Sequence, residues 1–144
     1  MIISGRYIKD APYIPARVVV GQHEGVVWFL ADCGAARTVI FDRTLDDLRI
    51  ASSLMEPMEG RLVGIGGSVR GFLLRNTQMM FLSDRGEFQI TFDLAATKHD
   101  LEQLPPDEAL RLSKLPSVLG RDIINQFEFC CDYEAGTVSL KKRK

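Results

Sequence analysis

Three stretches of the chain carry residues whose types and spacing could do chemistry. In the first, Phe29 to Ile40 (FLADCGAARTVI), an apolar strand ends on Asp32, turns through Gly34 and gives way to another apolar strand. A carboxylate there costs desolvation free energy unless it is hydrogen-bonded or paired. Taken locally, the same residues also describe an aspartate that opens a turn and bonds its own backbone, a common role for Asp before Gly. The second stretch is Val63-Gly64-Ile65-Gly66-Gly67-Ser68-Val69. Its glycines weaken a strand unless the backbone must bend sharply or approach something closely, and a mobile hairpin that closes over a ligand is one such use. Gly64-Ile65-Gly66 begins like a dinucleotide fingerprint, but the third glycine would fall at Val69 and a strand pattern follows where a helix is needed, so phosphate cradling is a weak reading. The third stretch, Ser117 to Asn125 (SVLGRDIIN), runs from an apolar strand through Gly120, Arg121 and Asp122 into an amphipathic helix. Alone it describes only a buried strand and a helix with polar residues in its first turn.

Histidine and cysteine add little. His23 and His99, the only histidines, sit in the polar stretches GQHEG and TKHDLEQ and read as exposed loop residues. No CxxC pair or His/Cys cluster exists, so neither a metal nor a cofactor is expected, and nothing in the spacing supports a Ser-His-Asp or Cys-His site. The three cysteines, with Cys130 and Cys131 adjacent, make a poor disulfide framework and point to a reducing, cytoplasmic compartment.

The elements that must position these residues are mostly strands. Ile14–Val20 and Val26–Ala31 are β-branched and alternating, and join through GQHEG as a hairpin. Arg37–Phe41 reads as a short strand and Thr44–Ile50 as a short helix with Thr44 as N-cap. Leu54–Gly60, with Pro57, reads as a loop. Arg61–Leu74 reads as a hairpin with a glycine-rich tip, and Met79–Ser83 and Glu87–Leu94 as strands joined by Asp84-Arg85-Gly86. The polar stretch Ala95–Pro116 holds one short helix at Pro106–Leu112. Ser117–Leu119 is a brief strand, Arg121–Phe127 a helix, and Phe127–Asp132 with Thr137–Leu140 a closing hairpin. Many short strands with turn residues between them predict an all-β, barrel-like domain.

Composition agrees with one folded unit. A chain of 144 residues fits a single domain, 1–144, and 46% hydrophobic with 26% charged residues is usual for a globular one. The net charge of −1 removes any global electrostatic case for nucleic-acid or membrane partners. No apolar run approaches the roughly 20 residues of a membrane-spanning helix. The basic end Lys141-Lys142-Arg143-Lys144 reads as a solvated terminus.

In this order, FLADCGAARTVI, VGIGGSV and SVLGRDIINQF resemble the retropepsin-like aspartic proteases, the single-domain relatives of retroviral proteases. The resemblance runs from about Ile14 to Leu140. It implies a closed-barrel acid-protease fold with one or two short helices. It makes Asp32 the catalytic aspartate, on an active-site loop completed by Cys33, Gly34 and Ala35. Ile65, Gly66 and Gly67 become a flap tip over a peptide or protein substrate, and Gly120, Arg121 and Asp122 support the loop from below. The final strand, Thr137 to Leu140, would enter an intersubunit sheet.

That family's chemistry needs two aspartates. Asp84-Arg85-Gly86 is the only other Asp-Xaa-Gly here and reads as a hairpin turn, so the second aspartate must come from a second copy of the chain, and a homodimer is expected. Two residues depart from the family pattern. Cys33 stands where the family has Thr or Ser, whose hydroxyl braces the two active-site loops, and a thiol is a weaker donor. Ala36 stands where retroviral enzymes commonly carry an Asp that pairs with the Arg of the Gly-Arg motif, so Arg121 needs another partner, Asp122 or a backbone carbonyl. These departures motivate an alternative to the endopeptidase, a catalytically weak or inactive dimerisation or peptide-binding module.

Overall fold

Alternation of apolar and polar side chains builds the sheet. In β2 (Ala11–Val20) the residues Ile14, Ala16, Val18 and Val20 are buried, and in β3 (His23–Ala31) Val27, Phe29 and Ala31 are, with less buried residues between them. A period of two puts one face of each strand on the core. The computed structural model describes residues 1–64 and 67–142. The remaining strands are β1 (Ile2–Ile8), β4 (Val39–Ile40), β5 (Glu56–Gly64), β6 (Gly67–Ser83), β7 (Gly86–Thr97), β8 (Val118–Leu119), β9 (Phe127–Asp132) and β10 (Thr137–Lys142). Three short helices interrupt them: α1 (Asp42–Asp47), α2 (Pro106–Ser113) and α3 (Arg121–Ile124).

All ten strands form one sheet in the order β5-β6-β7-β4-β8-β3-β2-β1-β10-β9. The 17-residue β6 closes it on itself, because its second half pairs with β2 (Val18↔Met79) as well as with β7 (Met79↔Ile90). The enclosed core centres on Phe29, Phe81, Ile14, Ile40, Leu74, Met79, Leu94 and Leu119, all fully buried. The chain is thus the all-β closed barrel expected of it.

Several elements differ from the sequence reading, each for a non-local reason. β1 was not expected; its residues become a strand because β10 and β2 flank them (Ile3↔Leu140, Arg6↔Tyr13). β5 begins at Glu56, inside the expected loop, and Pro57 is tolerated because β5 is an edge strand. β6 runs through what reads as a gap between two strands. Its register shifts between Leu74 and Thr77, with Asn76 at φ 52°, and Asp93 accepts from the Asn76 amide at 3.1 Å and from Arg75 at 2.8 Å. These bonds, the Asn76 amide first, hold the Asp93 carboxyl below its ordinary range. β10 is enclosed by β1 and β9, so the open edge at this end of the sheet is β9 and not the final strand.

α1 starts before Thr44, on an N-cap (Phe41) with no side-chain cap, and the Thr44 hydroxyl instead meets Ser117 Oγ at 2.6 Å. α3 ends four residues in, because Phe127 is buried at the start of β9. His99 is not an exposed loop residue. Its ring Nδ1 lies 2.6 Å from Asp42 Oδ2, its backbone amide donates to Asp42 Oδ1 at 2.6 Å, and the two side chains are only 13% and 6% exposed. The pair ties the segment after β7 to the first turn of α1, where an acidic residue is also favoured by the helix dipole. Among the described residues no helix is long and apolar enough to cross a membrane.

Removing one partner of a buried pair strands the other, at a cost of about 3–5 kcal/mol. Asp42→Ala is therefore expected to lower the unfolding free energy by about 3 kcal/mol in a denaturant titration. A loss below about 0.5 kcal/mol, the scale of an ordinary surface change, would remove the pair from the list of structural ties.

Candidate active site

The loop from Asp32 to Thr38 leaves β3 and enters β4, and a third strand is wedged between those two. β8 runs parallel to β3 (Ala31↔Leu119) and antiparallel to β4 (Val39↔Val118). The Asp32 amide continues this ladder by donating to the Leu119 carbonyl at 3.0 Å. Asp32 therefore emerges half-buried where the barrel strand ends. The Gly34 amide donates to Asp32 Oδ1 at 2.8 Å and the Ala35 amide to the Asp32 carbonyl at 3.1 Å. The turn that the local sequence suggested is thus present, and it orients the carboxylate. Asp32 Oδ2 receives no hydrogen bond among the described residues. A Cβ on Gly34 would sit 3.1 Å from Asp32 Oδ1, so a larger residue there would have to shift that carboxylate by a few tenths of an ångström.

Gly120, Arg121 and Asp122 lie against this loop. The Gly120 backbone passes so close that a Cβ would fall 2.3 Å from the Arg37 carbonyl carbon and 2.8 Å from the Thr38 nitrogen. The Gly120 amide donates to Thr38 Oγ1 at 3.0 Å, and Thr38 Oγ1 donates to Asp122 Oδ1 at 2.7 Å. Asp122 also accepts from the Thr38 amide, at 2.9 and 3.0 Å, and from the Ile123 amide at 3.0 Å. The Arg121 amide donates to the Ala35 carbonyl at 2.8 Å, and its Nη1 donates to the Cys33 carbonyl at 3.0 Å. Of the two partners open to Arg121, the backbone carbonyl is the one it takes. Thr38, only 1% exposed, is the residue that sequence reasoning missed. Its only local signal is a hydroxyl at the start of an apolar strand.

Cys33, the residue after Asp32, is exposed, and so is Ala36. Cys131, on β9, is likewise exposed. Burial, then the neighbouring Cys33 and Cys130, push the Cys131 thiol up, while a bond to the Tyr7 hydroxyl opposes them. The glycine-rich hairpin is β5–β6, paired as far as Gly64↔Gly67. Gly67 opens β6; Ile65 and Gly66 lie outside the described residues. Among the described residues no group of three His, Cys, Asp or Glu side chains is placed to hold a metal ion.

No protein-family model matches the sequence, and no curated protein does either. Solved structures do. A retropepsin-like aspartic protease from Rickettsia conorii matches over 97% of this chain and 88% of its own, with a TM-score of 0.53 at 17% identity. The EIAV protease complexed with the inhibitor HBY-793 matches over 82% of this chain and 88% of its own, again with a TM-score of 0.53 at 17% identity. The chain has the retropepsin-like fold.

Thr38→Val keeps the shape of the side chain and removes the hydroxyl, leaving the Gly120 amide unpaired and Asp122 short of one donor. The expected loss is about 2 kcal/mol, the cost of an unsatisfied buried donor. Gly120→Ala must displace backbone and not a flexible side chain, with an expected loss of about 3 kcal/mol. Thermal unfolding of both variants checks the pair. A Gly120→Ala protein as stable as wild type would contradict the close approach.

Proposed function

We propose that the protein is an aspartic endopeptidase that works as a homodimer, each chain supplying one Asp32 to a shared dyad. The observation that carries this reading is the Asp32-Cys33-Gly34 loop, braced from below by Gly120, Arg121 and Asp122, in a chain with the retropepsin-like fold. The other Asp-Xaa-Gly does not compete. Asp84 Oδ1 accepts the Ile2 amide at 2.7 Å and Ser83 Oγ donates to the Gly86 carbonyl at 2.6 Å, so that motif is spent on tying the β6–β7 turn to β1.

The chemistry follows from two carboxylates at one place. Like charges about 3 Å apart cannot both ionise, so the dyad holds one proton over a pH range that belongs to the pair. The ionised member takes a proton from a bound water as that water attacks the scissile carbonyl carbon. The protonated member hydrogen-bonds the carbonyl oxygen, and a proton passes to the leaving amine as the carbon–nitrogen bond breaks. The substrate is a peptide or protein segment held extended under the β5–β6 hairpin, with Ile65, Gly66 and Gly67 as the tip of that flap. Three unpaired cysteines fit work in a reducing compartment such as the cytoplasm.

A second reading, a peptide-binding or dimerisation module with little or no turnover, is favoured by Cys33 and Ala36. Both are exposed, and neither supplies the hydroxyl or carboxylate that the family uses at its position. A mixed peptide library incubated from about pH 4 to 7 separates the two readings. The protease reading expects cleavage that Asp32→Asn lowers by about 10³-fold or more. Excess Asp32→Asn chain should also poison the wild-type protein by forming mixed dimers. Retention of uncut peptide by wild type supports the module, and cleavage of equal rate by both proteins removes Asp32 from the chemistry.

A further inference from the structure

Side chains alternate between the two faces of a strand, so the residues that fill the core identify those that face away from it. Phe29 and Ala31 of β3, Leu119 of β8, Ile40 of β4 and Leu94 and Ala96 of β7 belong to the core. Leu30, Val118, Val39 and Ala95 therefore share the opposite face, and the strand registers set them side by side (Leu30↔Val118, Val39↔Val118, Val39↔Ala95). Asp32 continues β3 on that face, because its amide still bonds the Leu119 carbonyl. Thr38 turns the other way, to Gly120 and Asp122, which leaves Arg37 with Val39 on the Asp32 face.

The same registers, carried two residues toward the loop, make a row across four strands: Asp32, Gly120, Arg37 and Asp93. The close approach of the Gly120 backbone to the Arg37 carbonyl fits this row. Gly120 has no side chain to stand between its neighbours, and two strand spacings put Asp32 and Arg37 about 10 Å apart on one face. Arg37 is half-buried and, among the described residues, has no carboxylate at ion-pair distance. Asp93, its neighbour in the row, is already engaged, its Oδ1 by the Asn76 amide and its Oδ2 by Arg75 Nη1. Of the groups that hold the Asp93 carboxyl low, the Asn76 amide comes first and the Arg37 charge last. Ala36, beside Arg37, adds no carboxylate. Arg37 thus presents a cation whose counter-charge is spent elsewhere, at a distance from Asp32 that about three residues of extended peptide span.

Building on the endopeptidase reading above, we propose that Arg37 is a specificity-determining residue, its guanidinium taking the carboxylate of a substrate aspartate or glutamate within about three residues of the scissile bond. A guanidinium matches a carboxylate with two parallel charge-assisted hydrogen bonds, and a neutral amide in the same place leaves the cation without its counter-charge. The Arg37 backbone is held by Gly120 on one side and by the anchored Thr38 amide on the other. The group that reads the substrate is therefore carried by the same contact that seats the Asp32 loop.

A peptide library with acidic, amide and basic residues in equal share, incubated with the wild-type protein at about pH 5.5 where substrate carboxylates are ionised, tests this. Cut sites read by mass spectrometry are expected to carry Asp or Glu within about three residues of the break. For a glutamate peptide and its glutamine twin, kcat/KM is expected to differ about tenfold, the scale of one charge-assisted bond. Arg37→Ala brings the twins together by slowing cleavage of the glutamate peptide, and Arg37→Glu turns the preference toward lysine. Arg111→Ala, an exposed control on α2, keeps the wild-type ratio. Circular dichroism confirms that the variants fold, and the wild-type preference stands as a test if one does not. Cleavage without an acidic preference, or a preference that Arg37→Ala retains, overturns the proposal and leaves the protease reading intact. If nothing is cut, the affinities of the same twins for the wild-type protein decide. Tighter binding of the glutamate peptide, abolished by Arg37→Ala, supports the role of Arg37 and counts against the protease reading alone; equal binding, or none, overturns both.

Discussion

The approach of the Gly120 backbone to the Arg37–Thr38 peptide is the constraint on which the rest of the site depends. Two loops can lie that close only if neither carries a Cβ at the contact and if the polar groups driven together are paired. Gly120 meets the first condition; Thr38 and Asp122 meet the second, with one hydroxyl accepting from the Gly120 amide and donating to the carboxylate. Because β8 leads directly into Gly120, the same contact fixes where β8 can lie, between β3 and β4. Those are the strands that flank the Asp32 loop. The carboxylate's position is thus set by backbone packing and a buried hydroxyl, and its orientation by the Gly34 amide.

Features that depend on neighbours in sequence were legible before the fold was known. The alternation of β2 and β3, the turn at Asp84-Arg85-Gly86, α2 behind Pro105-Pro106 and the hairpin of β9 with β10 all follow from short patterns. What depends on distant partners was not. Nothing in IISGRYI marks a strand until β10, more than 130 residues on, lies beside it. Arg75-Asn76 reads as a break because a left-handed asparagine inside a strand is tolerable only when something such as Asp93 takes its amide. His99 looks solvated among Lys98 and Asp100, and its partner Asp42 is 57 positions away. The same holds for Thr38, whose role exists only through Gly120 and Asp122. In each case the local pattern misses the element or the role, and the long-range bond decides it.

The candidate site itself was legible in part. The three stretches singled out by residue type include both halves of the braced loop, and of the two partners left open for Arg121, Asp122 or a backbone carbonyl, the structure shows the Cys33 carbonyl. A pattern could not say which edge remains open. Chain ends are natural candidates for an intersubunit sheet, but a terminal strand is available only if its own chain leaves one side free. Here β1 occupies one side of β10 and β9 the other, so the free edge moves one strand inward in sequence.

This division separates what holds the fold from what a second chain or a substrate would touch. The bonds that shape the loop are made within one chain, by Asp32, Thr38, Gly120, Arg121 and Asp122, and all of these positions keep groups able to make them. The two departures, Cys33 and Ala36, both lie on the exposed side of the loop, where changing a side chain costs the isolated chain little. A barrel can therefore match solved aspartic proteases over most of its length at only 17% identity. On the proposed reading, fold and activity are decided by different residues: the first by the contact at Gly120, the second by what Asp32 and Cys33 would meet in the proposed dimer.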